Sequence, residues 1–173
     1  MRIRLAIFAF IFAVALPTNE TVAVAQSNAR DVSVAVNTFN FVTPSISQAR
    51  VAVVHDGGAS LADAQRIVRS MPSRVRRIQI TARAVSASEL RGSDANIVIL
   101  ASGLSAGTLS SVRSQLSGGR RLCITTQYQY VESGACVVAV SSAPKVRIIV
   151  NNSAARRFGI RFAAALMMMV ESI

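Results

Sequence analysis

The amino-acid sequence predicts a single α/β domain with a mainly parallel sheet flanked by helices. Three observations lead there. Short, continuous apolar runs recur at Val51–Val54, Ile97–Leu100 and Leu122–Thr125, as expected of strands buried on both faces. Segments with apolar residues at helical spacing lie between several of them. The junctions are Gly-, Ser- and Asp-rich, and none is long enough to divide the chain. Strands that alternate with helices in this way form a parallel sheet covered on both faces.

Asp31–Val42 (DVSVAVNTFNFV) is β-branched and aromatic, with Val32, Val34 and Val36 alternating, and propensity reads it as a strand. Val51–Val54 is a buried strand, and His55-Asp56-Gly57-Gly58 is a turn. Ser60 is placed to cap a helix, with Asp63 in its first turn. Leu61, Ala64, Val68 and Met71 mark that helix's apolar stripe, and Pro72 ends it. Arg77–Ala84 alternates strictly, so it is a strand with one wet face at or near a sheet edge.

The cycle then repeats. Ile97–Leu100 is a strand, and Ser105 caps a helix carrying Ala106, Leu109, Val112 and Leu116. Gly118-Gly119 ends that helix, and Leu122–Thr125 is the next strand. Ala135–Val140 and Lys145–Val150 are two further strands, joined by four residues as an antiparallel hairpin. Asn152–Val170 is helical in composition, with Gly159 breaking it into two short helices. The whole reads as a Rossmann-like domain with a C-terminal β-hairpin and terminal helices.

The start of the chain carries a different signal. Arg2 and Arg4 precede the 12-residue apolar run Leu5–Leu16, and Ala23-Val24-Ala25 comes after it. That is the pattern of a secretory signal peptide, and the run is too short to span a bilayer. The expected organisation is residues 1–25 as signal peptide, 26–49 as an N-terminal segment and 50–173 as the α/β domain. The expected location is the periplasm.

The chain of 173 residues has a net charge of +11, and Lys145 is its only lysine beside 18 arginines. An exported chain rarely meets nucleic acid, so the excess suits anionic lipid, polysaccharide or an acidic partner protein. Arg74, Arg76 and Arg77, Arg120–Arg121 and Arg156–Arg157 cluster at element boundaries, where a solvated face is the default reading. Met167, Met168 and Met169 are read as core filling.

Catalytic candidates are scarce. There is no G-x-S-x-G elbow, one His in the whole chain, and no pairing of carboxylates among the scattered Glu89, Asp94, Glu132 and Glu171. Two Cys and one His leave no room for a Cys/His zinc cage. The expectation is therefore no enzyme activity, no cofactor and no metal. His55-Asp56-Gly57-Gly58 lies just past a strand's carboxyl end, where open α/β sheets bind ligands. It is read as an ordinary turn, with a small anion or metabolite site as the alternative.

Cys123 and Cys136 form the clearest covalent signal. An even cysteine count in an exported chain favours a Cys123–Cys136 disulfide, and the two lie in strands that bridge if they are neighbours. The alternative is a pair of buried free thiols.

The C-terminal third resembles the YfiR/HmsC-like family of small exported proteins. The matching pieces are Gly134-Ala135-Cys136-Val137-Val138, Val146-Arg147-Ile148-Ile149-Val150-Asn151, Ala154-Ala155-Arg156-Arg157-Phe158-Gly159-Ile160 and Phe162–Val170. The upstream strands VAVVHD and ANIVILAS extend the resemblance over Arg50–Val170. Members of the family usually begin with a helix holding a Tyr-Asn-Phe-like stretch and ending in Trp-Pro. Here the chain reads Phe39-Asn40-Phe41-Val42-Thr43-Pro44 and has no Trp. The resemblance implies helix for residues 31–42 against the strand of propensity, and the expectation leans to helix.

The resemblance further implies a non-catalytic periplasmic regulator. Such a protein binds the periplasmic sensor domain of an inner-membrane diguanylate cyclase and represses it, which lowers cyclic-di-GMP and biofilm output. An outer-membrane lipoprotein is a possible second partner, and a homodimer a possible assembly. A small solute-binding module using the crevice near His55 and Gly103, or an envelope-interaction module using the Arg surface, is the alternative.

Overall fold

The structure is a computed structural model and describes residues 27–173. The expected signal peptide lies outside the described residues.

The first described element settles the conflict over residues 31–42. Helix α1 spans Ala29–Thr38, continues as a single 3₁₀ turn at Phe39–Phe41, and leads into strand β1, Val42–Thr43. The valines that alternate also fit a helical stripe, because Val32, Ala35, Val36 and Phe39 are all buried together. Local chemistry tips the balance. Asn28 accepts from the Asp31 N–H while Asp31 accepts from the Asn28 N–H, a reciprocal cap. The other Asp31 oxygen accepts from Ser142 N–H at 2.8 Å, which ties the helix start to the distant hairpin loop.

The main sheet is built from eight strands among the described residues. Strand β2 is Gln48–His55, β3 Arg74–Val75, β4 Ile78–Ser86, β5 Ile97–Leu100, β6 Leu122–Thr125, β7 Val138–Ser141, β8 Arg147–Val150 and β10 Glu171–Ser172. Their order in the sheet is β10-β8-β7-β6-β5-β2-β4-β3. Strands β4, β2, β5, β6 and β7 run parallel, while β7–β8 is the expected antiparallel hairpin. The wet-faced β4 lies second from the edge, covered only by the two residues of β3. Helices α2 (Gly58–Ser70) and α4 (Ala106–Leu116) are the long crossovers. Three short helices, α3 (Ala87–Leu90), α5 (Tyr128–Glu132) and α6 (Asn152–Phe158), fill the remaining connections. α3 and α5 span about a turn each, too short for a periodic signal in the sequence.

One core runs through the whole described chain. Val32, Val36 and Phe39 of the N-terminal segment join Val53, Leu100, Leu122, Ile124 and Phe158 in it. Burying each such large side chain contributes on the order of 1.5–3 kcal/mol.

Several local expectations are corrected. Gly57, not Ser60, precedes the first turn of α2; its φ of 95° is a conformation that glycine adopts readily. Ser60 instead turns its hydroxyl back to Asp56 and the Gly57 carbonyl. The buried stripe of α2 is Ser60, Asp63, Ala64 and Ile67, with Leu61, Val68 and Met71 only half-buried. The two hairpin strands are shorter than expected, because residues 135–137 bend into β7 and 145–146 belong to the turn.

The end of the chain holds the two short helices expected, with the second cut down to a single turn. Gly159, at φ 69°, does end α6. Beyond it lie strand β9 (Arg161–Phe162), the four-residue helix α7 (Ala164–Met167) and β10. β9 pairs with β1, over a hundred positions away, in place of the helix's expected first turn, and β10, past the end of the expected helical stretch, pairs with β8. Met168 and Met169 are 83% and 66% exposed, so they do not fill the core.

Candidate functional site

In a doubly wound sheet the ligand crevice opens where successive strands leave in opposite directions. Here that point lies between the carboxyl ends of β2 and β5, since β2 leads to β4 on one side and β5 to β6 on the other. His55 ends β2, Asp56 and Gly57 lead from it into α2 at Gly58, and the loop Ala101–Ser105 follows β5. The turn singled out in the sequence therefore stands at the expected place.

The polar groups at the crevice mouth bond to one another, while Asp56, Gly103 and Ser105 stay exposed. Asp56 accepts from Ser105 N–H at 2.8 Å, from the Thr108 hydroxyl at 3.2 Å and from the Ser60 hydroxyl at 2.7 Å. Its carboxylate thus takes the position at the start of α4 that an anionic ligand favours. Partial burial works against its charge. The Ser105 N–H and the hydroxyls of Ser60, Ser105 and Thr108 outweigh that and lower its pKa below the ordinary 3.8. His55 Nδ1 accepts from Gly57 N–H at 3.2 Å, which holds the ring inside the turn.

Asp63 lies deeper. It is 1% exposed and accepts from Ser102 N–H at 2.9 Å and Ser27 N–H at 3.1 Å. The hydroxyls of Ser27 and Ser102 and the guanidinium of Arg66 complete its shell. One carboxylate so joins the first described residue, α2 and the β5 loop. Sequence reasoning assigned it to a helix first turn, because its partners lie 36 and 39 positions away and leave no local pattern. The Tyr130 hydroxyl accepts from Leu104 N–H at 2.9 Å and closes the third side. Burial pushes that phenol's pKa up.

Cys123 of β6 and Cys136, just before β7, are joined as a disulfide with Cα atoms 5.1 Å apart. Both are fully buried, and Val137 N–H donates to the Cys123 carbonyl beside them. The bridge lies in the sheet interior, away from the crevice. Glu89 caps α3 and Asp94 pairs with Arg50 and Arg83. Glu171 pairs with Arg147 across the β8–β10 edge. No three His, Cys, Asp or Glu side chains gather as a metal site among the described residues. No described helix is long and apolar enough to cross a membrane.

The fold and site together define a small, mostly parallel α/β domain in which the polar side chains at the usual ligand crevice are hydrogen-bonded to the chain itself. The sequence match supplies the family. The chain belongs to the YfiR/HmsC-like family, whose model matches residues 24–171, and that family is known for periplasmic regulation. No curated protein matches the chain. Among solved structures it is similar to a conserved domain protein from Vibrio cholerae O1 biovar El Tor, at 12% identity and TM-score 0.53. That match covers 82% of this chain and 59% of the other. It is also similar to an ABC domain from Streptococcus pneumonia solved in complex with L-Trp, at 11% identity and TM-score 0.49. Here 84% of this chain and 61% of that one are covered. The chain thus spans about three fifths of the solved chains it matches. At such identity, the Vibrio structure speaks for the fold alone.

Proposed function

We propose that the protein is a non-catalytic periplasmic regulator that binds the sensor domain of an inner-membrane diguanylate cyclase and holds it inactive. Cyclic-di-GMP and biofilm output then depend on the state of that complex. Family membership over residues 24–171 carries the reading. The crevice supports it, because the polar groups that would receive a substrate at the switch point are already engaged with one another. The same bonds weigh against a solute-binding role for that crevice. Repression of this kind needs only a higher affinity for the inactive cyclase than for the active one. An outer-membrane lipoprotein that competes for the regulator, and a homodimer, fit the same scheme.

The test is genetic and then biochemical. Deleting the gene should raise cyclic-di-GMP, and deleting the partner cyclase as well should abolish the rise. The purified chain should bind the cyclase's periplasmic domain. Unchanged cyclic-di-GMP in the single deletion, together with no binding of that domain, overturns the proposal.

A further inference from the structure

Away from the crevice, the last third of the chain and the loop before β6 enclose a surface cavity of about 500 Å³. Arg120, Arg156 and Arg161 line it, with Thr43, Pro44 and Gly159. The three arginines come from three segments. Arg120 lies just past α4, Arg156 in the last turn of α6, and Arg161 in β9, opposite Thr43 of β1. Among the described residues none of the three takes part in an ion pair; the acidic partners go to Arg50, Arg66, Arg83 and Arg147. Arg156 makes one side-chain bond, to the Ser153 hydroxyl at 3.2 Å.

An arginine at a helix end usually serves the last carbonyls. Here those carbonyls are already taken by backbone. Gly118 N–H donates to Arg157, Arg120 N–H to Phe158, Gly159 N–H to Arg156 and Ile160 N–H to Ala155. The guanidinium of Arg156 is therefore not needed as a cap. Arg120 adds a second sign. Its φ of 51° is a left-handed conformation that glycine adopts at lower cost, in a stretch that already carries Gly118 and Gly119. Gly159 keeps the neighbouring space clear, since a Cβ there would approach Arg120 Cγ to 3.3 Å. Three uncompensated positive charges around one concavity repel each other and draw in an anion. Guanidinium forks match the oxygens of a phosphate, and the volume leaves room for the body of a small ligand beside it.

We propose that this cavity is a binding site for a phosphate group, carried either by a small organic phosphate or by a lipid headgroup. Occupancy would clamp β1, the C-terminal segment and the loop before β6 to one another. The site is independent of the cyclase reading above.

Titrating the full chain with inorganic pyrophosphate at constant ionic strength tests it by calorimetry. Saturable one-to-one binding is expected. Arg156→Gln and Arg161→Gln should each weaken it at least about tenfold, the loss expected for one charge-assisted contact. Arg69→Gln, on the exposed face of α2, should leave it unchanged. Arg120→Gly should weaken binding yet raise the melting temperature of the free protein, because it relieves the backbone. No saturable binding, or equal weakening by Arg69→Gln, overturns the site. Pyrophosphate should also protect the unmutated chain's three arginines from phenylglyoxal, and absence of protection counts against it regardless of how the variants fold. Two further arms identify the source. Binding to phosphatidylcholine vesicles that contain phosphatidic acid, displaced by pyrophosphate, assigns a headgroup. Binding of glycerol 3-phosphate without vesicle binding assigns a free organic phosphate.

Discussion

The carboxyl-end crevice and the C-terminal third treat polar and apolar groups in opposite ways. At the crevice, two carboxylates and a phenol accept N–H groups from the β5 loop and the start of α4, so little is left for a partner. In the C-terminal third, arginines line a cavity without carboxylates, and Met168, Met169 and Ile173 stay exposed beside a two-residue edge strand. A closed network rigidifies a fold, whereas unpaired charge and exposed apolar surface are what recognition uses. Polar groups are thus satisfied internally at the carboxyl end of β2 and β5, and left exposed and unpaired in the C-terminal third.

Breaking the crevice network should have the largest effect. Asp63→Ala strands two buried N–H donors, those of Ser27 and Ser102, and should cost about 3–5 kcal/mol in denaturant unfolding. A loss under about 1 kcal/mol, the scale of a surface change, would remove the distinction between the regions. The disulfide comes next. Replacing Cys123 and Cys136 by Ala should cost about 3 kcal/mol, the chain-entropy value for a loop of roughly 14 residues. Without reductant, alkylation and then mass analysis should label neither cysteine of the unmutated chain.

Gly159→Ala forces a side chain into a left-handed position and against Arg120. It should lower stability by about 1–2 kcal/mol, measured by thermal unfolding. Asp56 sharpens the comparison through pH. Its pKa is depressed in the folded state, so its contribution is complete above the ordinary 3.8 and is lost as pH falls through the folded value. The unmutated chain should therefore lose its advantage over Asp56→Asn only in that acid range, and a constant difference down to about pH 2, below the ordinary carboxylate range, would count against the network. Met168→Ser and Met169→Ser should have the smallest effect, within about 0.5 kcal/mol of stability. Weaker binding of a cyclase periplasmic domain by these variants would assign the edge to recognition.

Much of this architecture is legible in the chain's local pattern. Val51–Val54, Ile97–Leu100 and Leu122–Thr125 are strands because a parallel, doubly covered sheet needs apolar side chains on both faces, and that requirement is written in consecutive residues. Ser105 caps α4 as its position implies, and the cysteine pair is joined. Tertiary structure decided the rest wherever two local answers were nearly equal or partners were remote. Residues 29–38 satisfy a strand period and a helix period alike, and burial of Val32, Ala35, Val36 and Phe39 against a common core selects the helix. Arg161 and Phe162 lie in a stretch of helical composition, yet β1 offers their backbone partners over a hundred positions away, and Ala164–Met167 alone stay helical. Asp63 and the arginine-lined cavity obey the same logic, since each assembles from segments whose proximity exists only after the sheet has closed. Local propensity is worth tenths of a kcal/mol per residue, and a buried, fully bonded carboxylate or a packed helix face outweighs it.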